Sequence, residues 1–258
     1  KFKVDLFEQE DYFGGHSLTY DIKNKKKDIS VDLGFIVFNE LTYPNLLNFF
    51  KELNVPFEKS DMSFSVSIKN TNIEYGGRGL KAIFANKSNI FNFKFLQMIK
   101  EIISFYKAAP KLIYNINNEE TLGGYLEKSK LSKYFIEYHI IPMVAAIWSM
   151  PFKKAKDMPL KIFLDFFINH GLFKLKNRPQ WFTVSNRSRT YVKKVLSKIS
   201  GEIYKNYKVD KINRSAENIR LTVGNDYLDY DQVVLATHAD QSLNLLADST
   251  DDEKKILE

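Results

Sequence analysis

Glu8, Gly14, Gly15 and His16 are the residues of this chain whose types and spacing point to ligand chemistry. Glu8 follows Val4, Leu6 and Phe7, a short apolar run of the kind that forms a buried parallel strand. A carboxylate at the C-terminal end of such a strand is placed to accept hydrogen bonds from ribose hydroxyls, as in dinucleotide-binding sheets. Gly14-Gly15 then lets the backbone pass close to a bulky group, because no Cβ intervenes. The same stretch is also what an ordinary strand with a glycine hinge looks like, and short motifs recur by chance.

Residue sets that would carry a mechanism of their own are missing. There is no Ser/His/Asp set, no group of histidines at metal-ligand spacing and no close carboxylate pair. Gly76-Gly77-Arg78-Gly79 is followed by Leu80-Lys81-Ala82, not by the Lys-Ser/Thr pair of a phosphate loop, and reads as a turn. The chain has no cysteine, which excludes disulfides, thiolate ligands and a thiol nucleophile and fits a reducing compartment. His139, Trp148 and Trp181 are candidates to line a substrate cavity, although packing is the commoner role of such residues.

The elements that must position these residues run from strands to helices and back. An alternating strand at 18–22 is followed by a charged hairpin tip at 23–27 and a return strand from 29 into Asp32-Leu33-Gly34-Phe35-Ile36. Gly34 reads as a bulge or a close backbone approach. Thr42 and Pro44 open a helix bearing Leu46, Leu47, Phe50 and Leu53, closed by Asn54. Residues 63–68 and 73–75 read as a hairpin. The centre is helical: 93–108 with Pro110 at its end, short helices opened by Thr121 and Ser132, the apolar run 142–149, and 160–170 closed by Gly171. A strand at 181–184 and a helix at 188–199 precede short strands at 203–204, 209–213, 219–223 and 227–230. Residues 233–236 read as a buried strand breaking at Thr237-His238, and 239–247 as the next helix. The expected organisation is one α/β domain from 1–60 and 183–258, interrupted by a helical domain at 61–182. Residues 3–7 and 233–236 are expected in one parallel sheet.

The composition fits a globular protein with a real core: 258 residues, 44% hydrophobic and 14% aromatic. The net charge of +7 comes from lysines spread along the chain. It reflects biased base composition better than attraction to anionic lipid or nucleic acid, because the lysines are spread along the chain and no compact arginine cluster appears. No apolar run is long enough for a transmembrane helix.

Glu8, Gly14-Gly15, Asp32-x-Gly34, Val209-x-x-Ile212 and Val233-Val234-Leu235-Ala236-Thr237 together resemble, in this order, the flavin amine oxidase superfamily, whose pattern is E-x-x-x-x-x-G-G-R. His16 replaces the arginine. The stretches 31–40, Tyr43-Pro44-Asn45, 60–65, 142–149 and Arg178-Pro179-Gln180-Trp181 resemble, more narrowly, a bacterial subfamily of NAD/FAD-binding oxidoreductases. The resemblance implies an α/β, Rossmann-like FAD-binding domain with a mainly helical substrate or cap domain. It implies FAD contacts at Glu8, Gly14, Gly15, His16 and Thr19, at Gly34, Phe35 and Ile36 beside the isoalloxazine, at the Val209 backbone beside the adenine, and at Thr237. The flavin would take a hydride equivalent from an amine or an apolar, lipid-like substrate. No catalytic residue and no metal ligand follow from it. A non-catalytic nucleotide-binding or scaffold protein of the same fold is the alternative. The N-terminal G-x-G-x-x-G and a C-terminal FAD contact are absent, and Ser185-Asn186-Arg187-Ser188 stands where relatives have a Gly-Gly-Ser turn. With no initiating Met and a last stretch that reads as a helix just beginning, the chain is expected to be a fragment lacking both ends and binding FAD weakly by itself. The expected partner is a small-molecule substrate, not nucleic acid, and the expected location is cytoplasmic. Peripheral membrane or lipid contact and oligomeric state stay open.

Overall fold

The computed structural model describes residues 2–25 and 28–258, so Lys26 and Lys27 of the expected hairpin tip lie outside the described residues, as does Lys1. The chain divides into two compact units. Unit 1 comprises 1–36, 50–56 and 184–258, and unit 2 comprises 37–49 and 57–183. The division differs from boundaries at 60 and 182, because 37–49 and 57–60 belong with the helical unit.

In unit 1 the chain begins with β1 (Leu6–Glu8), β2 (Thr19–Ile22) and β3 (Ile29–Asp32). β2 and β3 pair antiparallel, with Thr19 opposite Asp32 and Ile22 opposite Ile29. β4 (Phe38–Asn39) and α1 (Pro44–Glu52) come after them. Pro44 suits the first helical position, where its missing N–H would have no partner anyway. Asn54 ends this segment in the left-handed region at φ 52°.

Unit 2 continues with β5 (Phe57–Ser60) and the hairpin of β6 (Ser65–Ser67) and β7 (Glu74–Gly76). Helix α2 (Gly79–Ile83), a 3₁₀ turn (Lys87–Phe91) and the long helix α3 (Phe93–Leu112) come next. Asn92 caps α3 through its side-chain oxygen, which accepts from the Phe95 N–H. Pro110 lies inside α3 and does not end it. Ala109 beside it is fully buried. Then come α4 (Leu122–Lys128), α5 (Lys133–Phe135), a π-helical turn (Ile136–Ile140), α6 (Ile141–Trp148), α7 (Phe152–Ala155) and α8 (Leu160–Asn169). β8 (Trp181–Val184) lies between β4 and β5 in a sheet of order β4-β8-β5. Phe95, Phe135, Phe163 and Phe167 are wholly buried in one continuous core with Met98, Leu122, Ile140, Val144, Leu160 and Leu164. Their rings touch edge-on or tilted, Phe163 to Phe167 at 4.3 Å and Phe105 to Phe135 at 5.3 Å between centroids.

The rest of unit 1 comprises α9 (Arg189–Leu196), β9 (Ile203–Lys205), β10 (Lys211–Arg214), β11 (Ile219–Val223), β12 (Asp226–Tyr230), α10 (Ala239–Leu245) and α11 (Asp251–Leu257). β1 pairs parallel with β9, Leu6 opposite Ile203 and Glu8 opposite Lys205. β10, β11 and β12 form an antiparallel meander. Residues 233–236 form no strand, which corrects the expectation that they share a parallel sheet with 3–7. Val234 is 90% exposed. Apolar, β-branched composition favours an extended chain, but a strand needs a neighbour for its N–H and C=O groups, and none pairs here among the described residues. At the far end, Thr250 and Glu253 form a reciprocal cap on α11, and Arg214 binds both Asp248 and Glu253. Those contacts hold the Glu253 carboxyl down to about 2.

Candidate functional site

The glycine loop and the Gly34 segment are one assembly. Gly14 sits at φ +111°, a value that only glycine adopts without strain, and Gly15 at +51°, in the left-handed region that favours glycine. The Ser17 N–H closes the turn on the Gly14 carbonyl at 2.7 Å. Gly34 runs against this turn: the Phe35 N–H donates to the His16 carbonyl at 2.8 Å, and a Cβ on Gly34 would overlap that oxygen. Its glycine is therefore required by contact with the chain's own backbone, a reason the sequence does not disclose. At Gly15 the surroundings differ, since among the described residues no atom beyond its chain neighbours lies within 4 Å of where a Cβ would stand. The structure thus brings Gly14, Gly15, His16, Gly34 and Phe35 together, with Ile36 beside them and half exposed.

Asp32, quoted in the motif but given no role, fixes the elements around this loop. Its two oxygens accept the Ser188 N–H at 3.0 and 3.1 Å, just before α9. Thr19 donates its hydroxyl to Asp32 at 2.6 Å and accepts the Arg189 N–H at 3.0 Å. The carboxylate meets the positive end of the helix, a favourable arrangement. Thr19 is thus engaged with protein groups. Arg189 clamps Asp21 at 2.8 and 2.6 Å, which holds that carboxyl below its usual range. The Ser17 and Tyr191 hydroxyls also meet. No spacing rule would have found Asp32, because its partners lie 156 residues on.

Glu8 ends β1, as expected, and is half-buried. One carboxylate oxygen accepts the Glu10 N–H at 2.9 Å, and the other makes no hydrogen bond among the described residues. Its backbone carbonyl accepts the Tyr207 N–H at 2.8 Å, and that of Glu10 accepts the Asn206 N–H. The loop that leads to Val209 is thereby tied to the end of β1. Val209 itself lies in this loop before β10, not on a strand, which corrects the strand expected at 209–213. Thr237 is exposed and shares a 2.7 Å hydrogen bond with Ser242. Next to it, His238 stands edge-on to His16, with centroids 5.5 Å apart. His238 is a second residue that sequence reasoning did not single out.

The three candidates for a substrate cavity are packed in unit 2. His139 is 4% exposed, held between the Tyr75 and Tyr106 hydroxyls at 2.9 and 3.0 Å. Tyr75 donates to the Tyr138 carbonyl, so its oxygen is free to accept the His139 Nδ1–H, and Nε2 then accepts from Tyr106. Burial holds the imidazole down to about 3 and pushes both phenols up. Trp148 packs on Phe166 at 4.8 Å, and Trp181 is buried parallel to His170. An open depression of about 380 Å³ in unit 2 is lined instead by Glu40, Leu41, Lys174, Asn177, Pro179 and Gln180.

Residues 1–53 match the family described as NAD(P)-binding Rossmann-like domain. Among solved structures, cyclohexylamine oxidase from Brevibacterium oxydans IH-35A superposes with a TM-score of 0.70 at 13% identity, over 97% of this chain and 56% of that one. The chain shares its fold with this oxidase. Putrescine oxidase bound to putrescine is similar to it with a TM-score of 0.67 at 12% identity, over 97% and 56% of the two chains. An oxidoreductase from Methanosarcina mazei gives 0.60 at 16% identity, over 99% and 59%. This amine-oxidase-fold chain therefore spans a little over half the length of the solved chains it matches. No curated protein sequence matches it. Among the described residues, no helix is long and apolar enough to cross a membrane.

Proposed function

We propose that this chain supplies the ribose-binding strand, the glycine loop and the cap of an FAD-dependent oxidoreductase that takes a hydride equivalent from an amine. The observation that carries the reading is the end of β1. There Glu8 keeps a carboxylate oxygen without a hydrogen-bond partner among the described residues, and the glycine turn beyond it leaves Gly15 facing open space among them. This arrangement fits an adenosine ribose at Glu8 and a pyrophosphate over the turn, with His16 donating a ring N–H where relatives have an arginine. FAD, when bound, supplies the redox chemistry, and the protein's part is to orient it and keep water out. Gly34 serves this site indirectly, by letting the Phe35 segment lie against the loop. Support for an amine comes from the two amine oxidases of like fold. The aromatic middle of the chain, which suggested an apolar substrate, is consumed in packing among its own side chains.

The test is FAD binding by the intact gene product. Its visible spectrum as purified should show flavin bands. Glu8→Ala should weaken FAD binding by about 1–3 kcal/mol, the cost of leaving hydroxyl donors unpaired. Unchanged affinity would make Glu8 a mere strand end, and a colourless protein that binds only adenine nucleotides would favour the non-catalytic reading.

A further inference from the structure

Unit 2 exposes apolar side chains where a folded protein ordinarily hides them. Leu80 in the first turn of α2 is 75% exposed, Phe91 at the end of the 3₁₀ turn 91%, and Phe93 at the start of α3 79%. Ile90 and Leu96 are also exposed. All five lie within 17 consecutive residues, 80–96. The 3₁₀ turn and α3 meet at Asn92, so Phe91 and Phe93 flank one corner. From there α3 continues the surface along one face. Phe93, Leu96, Lys100, Ile103 and Lys107 recur at spacings of three and four and are all exposed, while Phe95, Met98, Phe105, Tyr106 and Ala109 fill the core on the other face.

The charge within residues 78–100 is of one sign, and the Glu101 carboxylate that follows on α3 is engaged by Ser132. Residues 78–100 contain Arg78, Lys81, Lys87, Lys94 and Lys100 and no Asp or Glu. Arg78 is paired with Asp61 at 2.5 Å. The four lysines enter no ion pair among the described residues, and Lys94 lies over the Tyr134 ring at 5.9 Å. Exposed aromatic and aliphatic side chains bounded by unpaired lysines match a bilayer interface. The rings enter the acyl boundary, and the ammonium groups reach anionic headgroups along their flexible stems. A second copy of the same face would bring like charges together.

We propose that the surface formed by residues 78–100, with the outer face of α3, docks this protein peripherally onto an anionic lipid bilayer. The inference is independent of the flavin reading. It is tested by co-sedimenting the intact gene product with vesicles of phosphatidylcholine alone or with added phosphatidylglycerol. Binding is expected to the phosphatidylglycerol vesicles and to fall with salt. The paired changes Phe91→Ala with Phe93→Ala, and Lys87→Glu with Lys94→Glu, should each lower the partition by roughly tenfold or more. These residues are exposed, so circular dichroism should be unchanged. In a Phe91→Trp variant, the emission should shift to the blue on the anionic vesicles and be quenched by brominated acyl chains. An unshifted emission overturns the proposal, as does vesicle binding that survives the alanine pair. It is equally overturned if the alanine pair abolishes a concentration-dependent dimer and no lipid binding is seen, since the surface would then belong to a second copy.

Discussion

Unit 2 closes a continuous aromatic core, whereas unit 1 is cross-linked by polar groups and leaves its loops open. In unit 2 the rings of Phe95, Phe135, Phe163 and Phe167 are fully buried, and even the polar His139 is sealed between two tyrosines. In unit 1 all of β1 is only half-buried. There the ties are ionic or charge-assisted: Asp32 to Ser188, Asp21 to Arg189, Asp5 to the Glu202 N–H and Tyr230, and Arg214 to Asp248 and Glu253. The Asp5 contacts hold its carboxyl below the usual range. Burial fixes the shape of unit 2, while the hydrogen-bonded frame around the open turn of unit 1 leaves one Glu8 carboxylate oxygen without a hydrogen bond among the described residues.

The contrast can be broken hardest at the aromatic core. Phe163→Ala should destabilise unit 2 by about 3–5 kcal/mol, the range for removing a buried ring that cannot collapse fully. Hydrogen exchange should show the loss in unit 2 amides, and an equal loss at the Ser17 and Phe35 amides would mean that the two units do not differ in this way. For unit 1 the corresponding change is Gly34→Ala. Its Cβ has to displace the His16 carbonyl, and overpacking of this kind costs about 1–3 kcal/mol. Gly15→Ala, which meets no atom and only strains a left-handed φ, should cost about 1–2 kcal/mol and leave the Phe35 amide protected. Finer discrimination comes from pH. His139 takes up a proton at its ordinary value of 6.5 when unfolded, but only near 3 when folded. Its contribution is therefore complete above 6.5 and is lost as pH falls from there towards 3. Urea titrations should show unit 2 losing about 2 kcal/mol between neutral pH and about pH 5. A flat profile would mean that the ring is solvated.

The same contrast separates the local structure that was legible in the sequence from the contacts that were not. The strand end at Glu8 and the turn at Gly14-Gly15 were legible because both are local features, set within a few residues. The helical centre was legible from apolar periodicity, as α3 and α8 show. Non-local facts were not legible. Gly34 is explained by the His16 carbonyl, Asp32 by Ser188, and His139 by Tyr75 and Tyr106, which lie 64 and 33 residues away. Val209 fell just outside its strand, as element boundaries often do. The run 233–236 read as a strand because propensity is local, whereas pairing depends on a partner elsewhere.

The π-helical turn at Ile136–Ile140 has a bearing on how this sequence can change by insertion and deletion. A π turn holds one residue more than an α turn over a similar rise, and a single-residue insertion is the simplest event that makes one. Because the wide turn absorbs its extra residue locally, deleting one residue there would leave α6 in phase and Met143 and Val144 in the core they now fill. The change would fall on the turn itself. In a regular α-helix the ring of Pro142 meets a carbonyl four residues back, and Pro142 has no N–H to donate. His139 also sits in this turn, between the Tyr75 and Tyr106 hydroxyls. A deletion that narrows the turn would therefore disturb Pro142 and His139, not the phase of α6.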